Sequence, residues 1–85
     1  GAAPDIEKAQ QVLAESKTKM MQVQVKIEGH SKQIDQLAAN ADSGTKSREL
    51  LFMELERIQR FRGMLIDMAN SFMRDMARRV KEIMQ

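Results

Sequence analysis

The sequence predicts an all-α fold: an antiparallel two-helix hairpin of the coiled-coil type. Three observations carry this. Apolar residues recur at heptad spacing through both halves of the chain. A single cluster of turn-forming residues, Asn40-Ala41-Asp42-Ser43-Gly44-Thr45-Lys46-Ser47, stands near the middle. The two apolar patterns also match when one half is folded back on the other. At 85 residues the chain is one domain, with a helix over about 4–41, a turn over about 42–45 and a second helix over about 46–84.

The first helix is predicted to start near Pro4, whose missing N–H would be unbonded in a first turn anyway. Asp5 and Glu7 follow, where negative charge suits the helix dipole. Gly29 is the one strong breaker before Asn40. Ile6, Leu13, Met20, Ile27 and Ile34 fall every seven residues, and Ala9, Ser16, Val23, His30 and Leu37 stand three later. Both lines are expected in the seam.

The turn cluster ends this helix and caps the next, with Ser43 or Thr45 as the expected N-cap. The second helix shows one face of Leu51, Leu55, Ile58, Leu65, Ala69, Phe72, Met76, Val80 and Ile83. In an antiparallel hairpin the numbers of facing residues add to a constant. Leu37 with Leu51, His30 with Ile58, Val23 with Leu65 and Ser16 with Phe72 all give 88. Ile34 with Leu55, Leu13 with Met76 and Ile6 with Ile83 give 89, so the register holds without a slip. One continuous helix would put Ser43, Gly44 and Thr45 in its interior, where Gly alone costs about 1 kcal/mol.

A two-helix hairpin shares one seam and encloses no core. Ordering each residue costs on the order of 1.5 kcal/mol, so one seam is marginal and further helices are expected to complete a bundle. Apolar residues off the predicted seam supply a candidate surface: Met21 and Val25 on the first helix, and Phe52, Met53, Met64 and Met68 on the second. Methionine adapts to varied partners, though it also fills gaps in cores. A homodimer forming an antiparallel four-helix bundle is the first expectation, and a helical hetero-partner the second.

Charge and chemistry narrow the remaining classes. The net charge is +2, divided as −1 over residues 1–42 and +3 over residues 43–85. Arg74, Arg78, Arg79 and Lys81 carry much of the excess; they suit a helix C-terminus and are the candidate contact for an anionic partner. Nucleic-acid binding calls for a continuous basic stripe and stacking aromatics, but acids interrupt the basic residues and Tyr and Trp are absent. The second helix, amphipathic and holding Phe52, Phe61 and Phe72, makes a membrane surface a rival, yet the heptad register already engages most of that face. Liposome co-sedimentation is expected to be negative.

Enzyme chemistry lacks its parts. There is no cysteine and one histidine, His30, which the spacing places in the seam as a packed, hydrogen-bonded core residue. Glu54 and Glu56 point to different faces. The Gly-Thr-Lys-Ser run at 44–47 lacks the spacing and the preceding strand of a phosphate loop. No catalytic residue, metal site or cofactor is expected. Arg62 falls at the seam edge and is expected to pair with Asp35, Glu28 or Glu56.

The function read from the sequence is therefore non-enzymatic association through helical packing, by self-assembly or by docking as a scaffold or structural part of a larger complex. Gly1-Ala2 reads as a cloning remnant and the chain as a piece of something longer. No apolar run reaches the roughly 18–20 residues of a membrane span, no signal-peptide pattern opens the sequence, and the compartment is left open.

Overall fold

The computed structural model describes residues 2–85; the Gly1 half of the Gly1-Ala2 reading lies outside them. The described residues form two helices, α1 (Ala2–Ser43) and α2 (Arg48–Met84), packed against each other as an antiparallel hairpin. At 1.5 Å per residue α1 is about 63 Å long, and the molecule is a rod of 65 × 15 × 9 Å. Its radius of gyration is 19.3 Å, against about 12 Å for a compact domain of this length.

The turn shows why the chain reverses here. Gly44 takes a φ of 66°, the left-handed conformation that ends helices and that a Cβ disfavours. Ser43, the last residue of α1, donates its hydroxyl to the Asn40 carbonyl at 3.0 Å. The cap of α2 is Ser47, not Ser43 or Thr45 as the sequence reading expects. Ser47 has an extended backbone (φ −66°, ψ 156°), and its Oγ accepts the Leu50 N–H at 3.3 Å. Ser43 is instead the end of the preceding helix, and its hydroxyl meets that of Thr45 at 2.9 Å. Ser47→Ala should cost about 1 kcal/mol, read from chemical denaturation at fixed protein concentration. Thr45→Ala should move the midpoint far less.

The core is a thin seam. Ala9, Val12, Val23 and Leu65 are its buried apolar residues, with Val23 the deepest at 1 % exposure. Ser16 is buried with them, and its hydroxyl is satisfied by the Val12 carbonyl at 2.8 Å. Along α2, Leu51, Ile58, Phe61, Met68, Phe72 and Met76 are half-buried around Leu65. The helix that contributes small side chains lets the backbones approach, and the other fills the space with large ones.

One expectation about the seam is overturned. The Ala9-Ser16-Val23-His30-Leu37 line does face α2, but the Ile6-Leu13-Met20-Ile27-Ile34 line does not sit in the seam beside it. Ile6, Leu13, Ile27 and Ile34 are 46–50 % exposed, and Met20 is half-buried. The second seam line runs instead through Asp5, Val12, Lys19 and Asn40, with Lys26 and Gln33 of the same line exposed between them. Relative to the sequence reading, α1 is rolled by about 50°, half the angle between successive residues.

Candidate docking face

The roll of α1 gives the hairpin two unlike sides. In a supercoiled helix, residues four on from a seam position lie about 50° to one side, and residues three on lie about 50° to the other. Because the helices are antiparallel, the four-on positions of both open onto the same side of the rod. In α1 these are Ile6, Leu13, Met20, Ile27, Ile34 and Ala41. In α2 they are Arg48, Leu55, Arg62, Ala69, Met76 and Ile83. The next line out on α2, Phe52, Gln59, Ile66, Met73 and Val80, widens the same face. Apart from Arg48, Gln59 and Arg62 these positions are all apolar, and none is acidic. Phe52 is 60 % exposed, Leu55 40 %, Ile66 49 % and Met73 53 %.

Near the turn this side opens as a groove of about 630 Å³ lined by Leu37, Ala41, Leu51, Phe52, Met53 and Leu55, together with Arg48 and Glu49. A second groove opens on the opposite side, lined mainly by Gln33, Gln36, Asn40, Lys46, Glu54 and Arg57, together with the seam residues Leu37 and Ile58. The contrast between the two grooves is the contrast between the sides. Across the polar side run the ion pairs that tie the helices and the turn: Arg79 with Glu15 at 2.9 Å, and Lys46 with Glu54. Lys19 lies over the Phe72 ring with its Nζ 5.4 Å from the centroid, where the ring's negative face attracts it.

The residues singled out in the sequence do not come together on one surface. Phe52 lies on the apolar side. Met64 (49 % exposed) and half-buried Met68 belong to the polar side, Met68 against the seam. Met53 (60 %) lines the groove near the turn together with Phe52, whereas Met21 (58 %) and Val25 (67 %) point away from the seam on the outer surface of α1. The continuous apolar surface is the isoleucine line assigned to the seam, together with Leu55, Ile66 and Met73. A heptad line just outside the seam carries the same signal as one within it, which is why spacing alone misplaces it.

The basic cluster is largely engaged. Arg78 donates to Asp75 at 2.6 Å and to Glu82 at 3.2 Å, and Arg79 reaches Glu15. The Arg78 hydrogen bond holds the Asp75 carboxyl below its ordinary value, and the reciprocal bond to Asp75 raises Arg78. Arg74 and Lys81 are exposed and form no ion pair among the described residues. Arg62, expected to pair with an acid, also forms none among the described residues, and Glu56 pairs with Arg60 at 3.7 Å.

His30 departs from expectation in one respect. It is half-buried in the seam, with its ring 5.6 Å from that of Phe61, but its buried Nδ1 has no hydrogen-bond partner. An unpaired buried acceptor costs roughly 1–3 kcal/mol. His30→Leu, similar in volume and free of polar atoms, should therefore raise stability by about 1–2 kcal/mol, measured by urea denaturation at equal concentration. Loss of stability would mean that the ring nitrogen is satisfied in solution.

Among the described residues no group of three His, Cys, Asp or Glu side chains could hold a metal ion. Nor is any helix among the described residues long and apolar enough to cross a membrane. Comparison with protein-family models, curated proteins and solved structures finds no match to this chain.

Proposed function

We propose that this chain is a non-enzymatic assembly module that associates with other protein through the apolar side of its hairpin, completing a four-helix bundle. The observation that supports this most is the one-sidedness of the apolar surface over the whole rod. Scattered exposed apolar residues need no explanation, but a contiguous face of this extent does. The area supports the same reading. The hairpin exposes 6705 Å², whereas a compact chain of 9.7 kDa exposes about 5,100 Å². The excess of about 1,600 Å² is twice the roughly 800 Å² that each partner contributes to a standard interface.

Light scattering after size exclusion, at low and high salt, tests this. The expected result is a mass near twice 9.7 kDa that persists in salt, because an apolar contact is not screened. A monomer at about 100 µM whose thermal midpoint is independent of concentration would overturn the reading. Co-sedimentation with lipid vesicles in place of a dimer would transfer the face to a membrane surface. Against that outcome, the chain lacks the Trp and Tyr that anchor proteins at membrane interfaces.

A further inference from the structure

From the sideways asymmetry of the apolar face we infer that its occupant is a second copy of this chain, lying with its turn at the opposite end of the rod. This rests on the assembly reading above and adds the orientation. On the outer edge of α2, the face continues into Phe52, Ile66, Met73 and Val80. On the outer edge of α1, the equivalent positions are Gln10, Lys17, Gln24 and Ser31. The face is thus centred toward α2 rather than on the groove between the helices.

Two stacked hairpins can be related by either of two two-fold axes lying in the plane between them. An axis along the rod puts both turns at one end and stacks each α1 on the partner's α2, so the polar edge of one copy covers the apolar edge of the other. An axis across the rod stacks α2 on the partner's α2 and α1 on the partner's α1. Apolar edge then meets apolar edge, and polar edge meets polar edge. Only the second arrangement removes Phe52, Ile66 and Met73 from water on both copies, and it puts the turns at opposite ends.

Charge favours the same choice. Arg62 is the cation in the middle of the face, and no acid lies there to answer it. An axis along the rod brings the two copies of Arg62 to the same level. An axis across the rod, with full overlap of the rods, passes close to the level of Ile66, midway along α2 (Arg48–Met84). Arg62 stands four residues from that level, so the two copies are displaced along the rod by about 12 Å, beyond the screening length at physiological salt. There is surface enough for a second copy, since each hairpin exposes more beyond a compact chain than a standard interface covers.

The chain has no cysteine, so one introduced thiol per copy gives a clean label. Asp42→Cys, at an exposed position in the last turn of α1, carries a nitroxide for electron–electron distance measurement, with mass and helicity checked on the labelled protein. Thr45→Cys serves if that variant does not fold. The expected turn-to-turn distance is about 60 Å. A dimer with a distance under about 25 Å, the span of two helix layers, overturns the orientation and leaves the assembly reading standing. A labelled and unlabelled chain that are both monomeric overturn the two together.

Discussion

Leu65→Asp should abolish the hairpin. Leu65 is 4 % exposed at mid-seam, in the same stretch as Val23 at 1 %, where burial is deepest. The change removes about 2–3 kcal/mol of apolar burial and asks an unpaired carboxylate to enter the seam, which costs several kcal/mol more. A fold of two helices has no reserve for this, since even ordinary domains hold only about 5–15 kcal/mol. Circular dichroism should show helicity lost at all accessible concentrations. The adjacent Met64→Asp, at a position 49 % exposed on the polar side, should stay within about 0.5 kcal/mol of the parent. If both variants kept their helical signal, the seam would lie elsewhere. Adding Met68→Asp confuses this comparison, because Met68 is half-buried against the seam.

The second large effect belongs to the apolar side. Ile27→Asp with Ile66→Asp puts a carboxylate on each helix of the proposed interface, at positions 50 % and 49 % exposed in the hairpin. The seam is untouched, so the chain should remain helical in the cold. Association should weaken at least about 100-fold, equivalent to ~2.7 kcal/mol. Sedimentation equilibrium reads this directly, and the thermal midpoint should fall as the stabilising partner is lost. Met21→Asp with Val25→Asp, on the outer surface of α1, is the control and should leave the mass unchanged. A doubled mass that survives the first pair and not the second would put the interface on the outer surface of α1 instead.

Much of the architecture was legible because each feature has a local cause. The turn is announced by Gly44 and its polar neighbours, and the antiparallel pairing of the two apolar lines follows from their common spacing, although the contacts of His30 with Phe61 and Lys19 with Phe72 add to 91 and shift the expected register by about three residues. The rotation of α1 about its own axis was not legible. Ile27 and Val23 both recur at seven-residue intervals, and hydrophobicity alone ranks the isoleucine line as the better core. What separates them is size: Ala9, Val12, Ser16 and Val23 let the backbones close, leaving room for Leu65, Phe61 and Phe72. That preference depends on both helices at once and cannot be read from either alone. The candidate docking face follows directly from the same rotation, so the sequence held its residues but assigned them to the wrong place. The unpaired Nδ1 of His30 is a finer detail of the same kind, set by which atoms the neighbouring turn happens to offer.

The hairpin geometry also governs how the molecule can space other things. Ala2 and Gln85 lie at the same end of a 65 Å rod, and the Gly44 turn is at the other. Any body joined to either end of the chain therefore stands at one tip, and the turn projects from it as the far tip of an arm. In the proposed two-fold arrangement the two copies send their chain ends out of opposite tips. The dimer is then a strut that holds its two attachments apart by the length of the rod, and its span is fixed by the number of helical residues between Ala2 and Ser43. Inserting one heptad into each helix would keep the seam in register and lengthen that strut by about 10 Å.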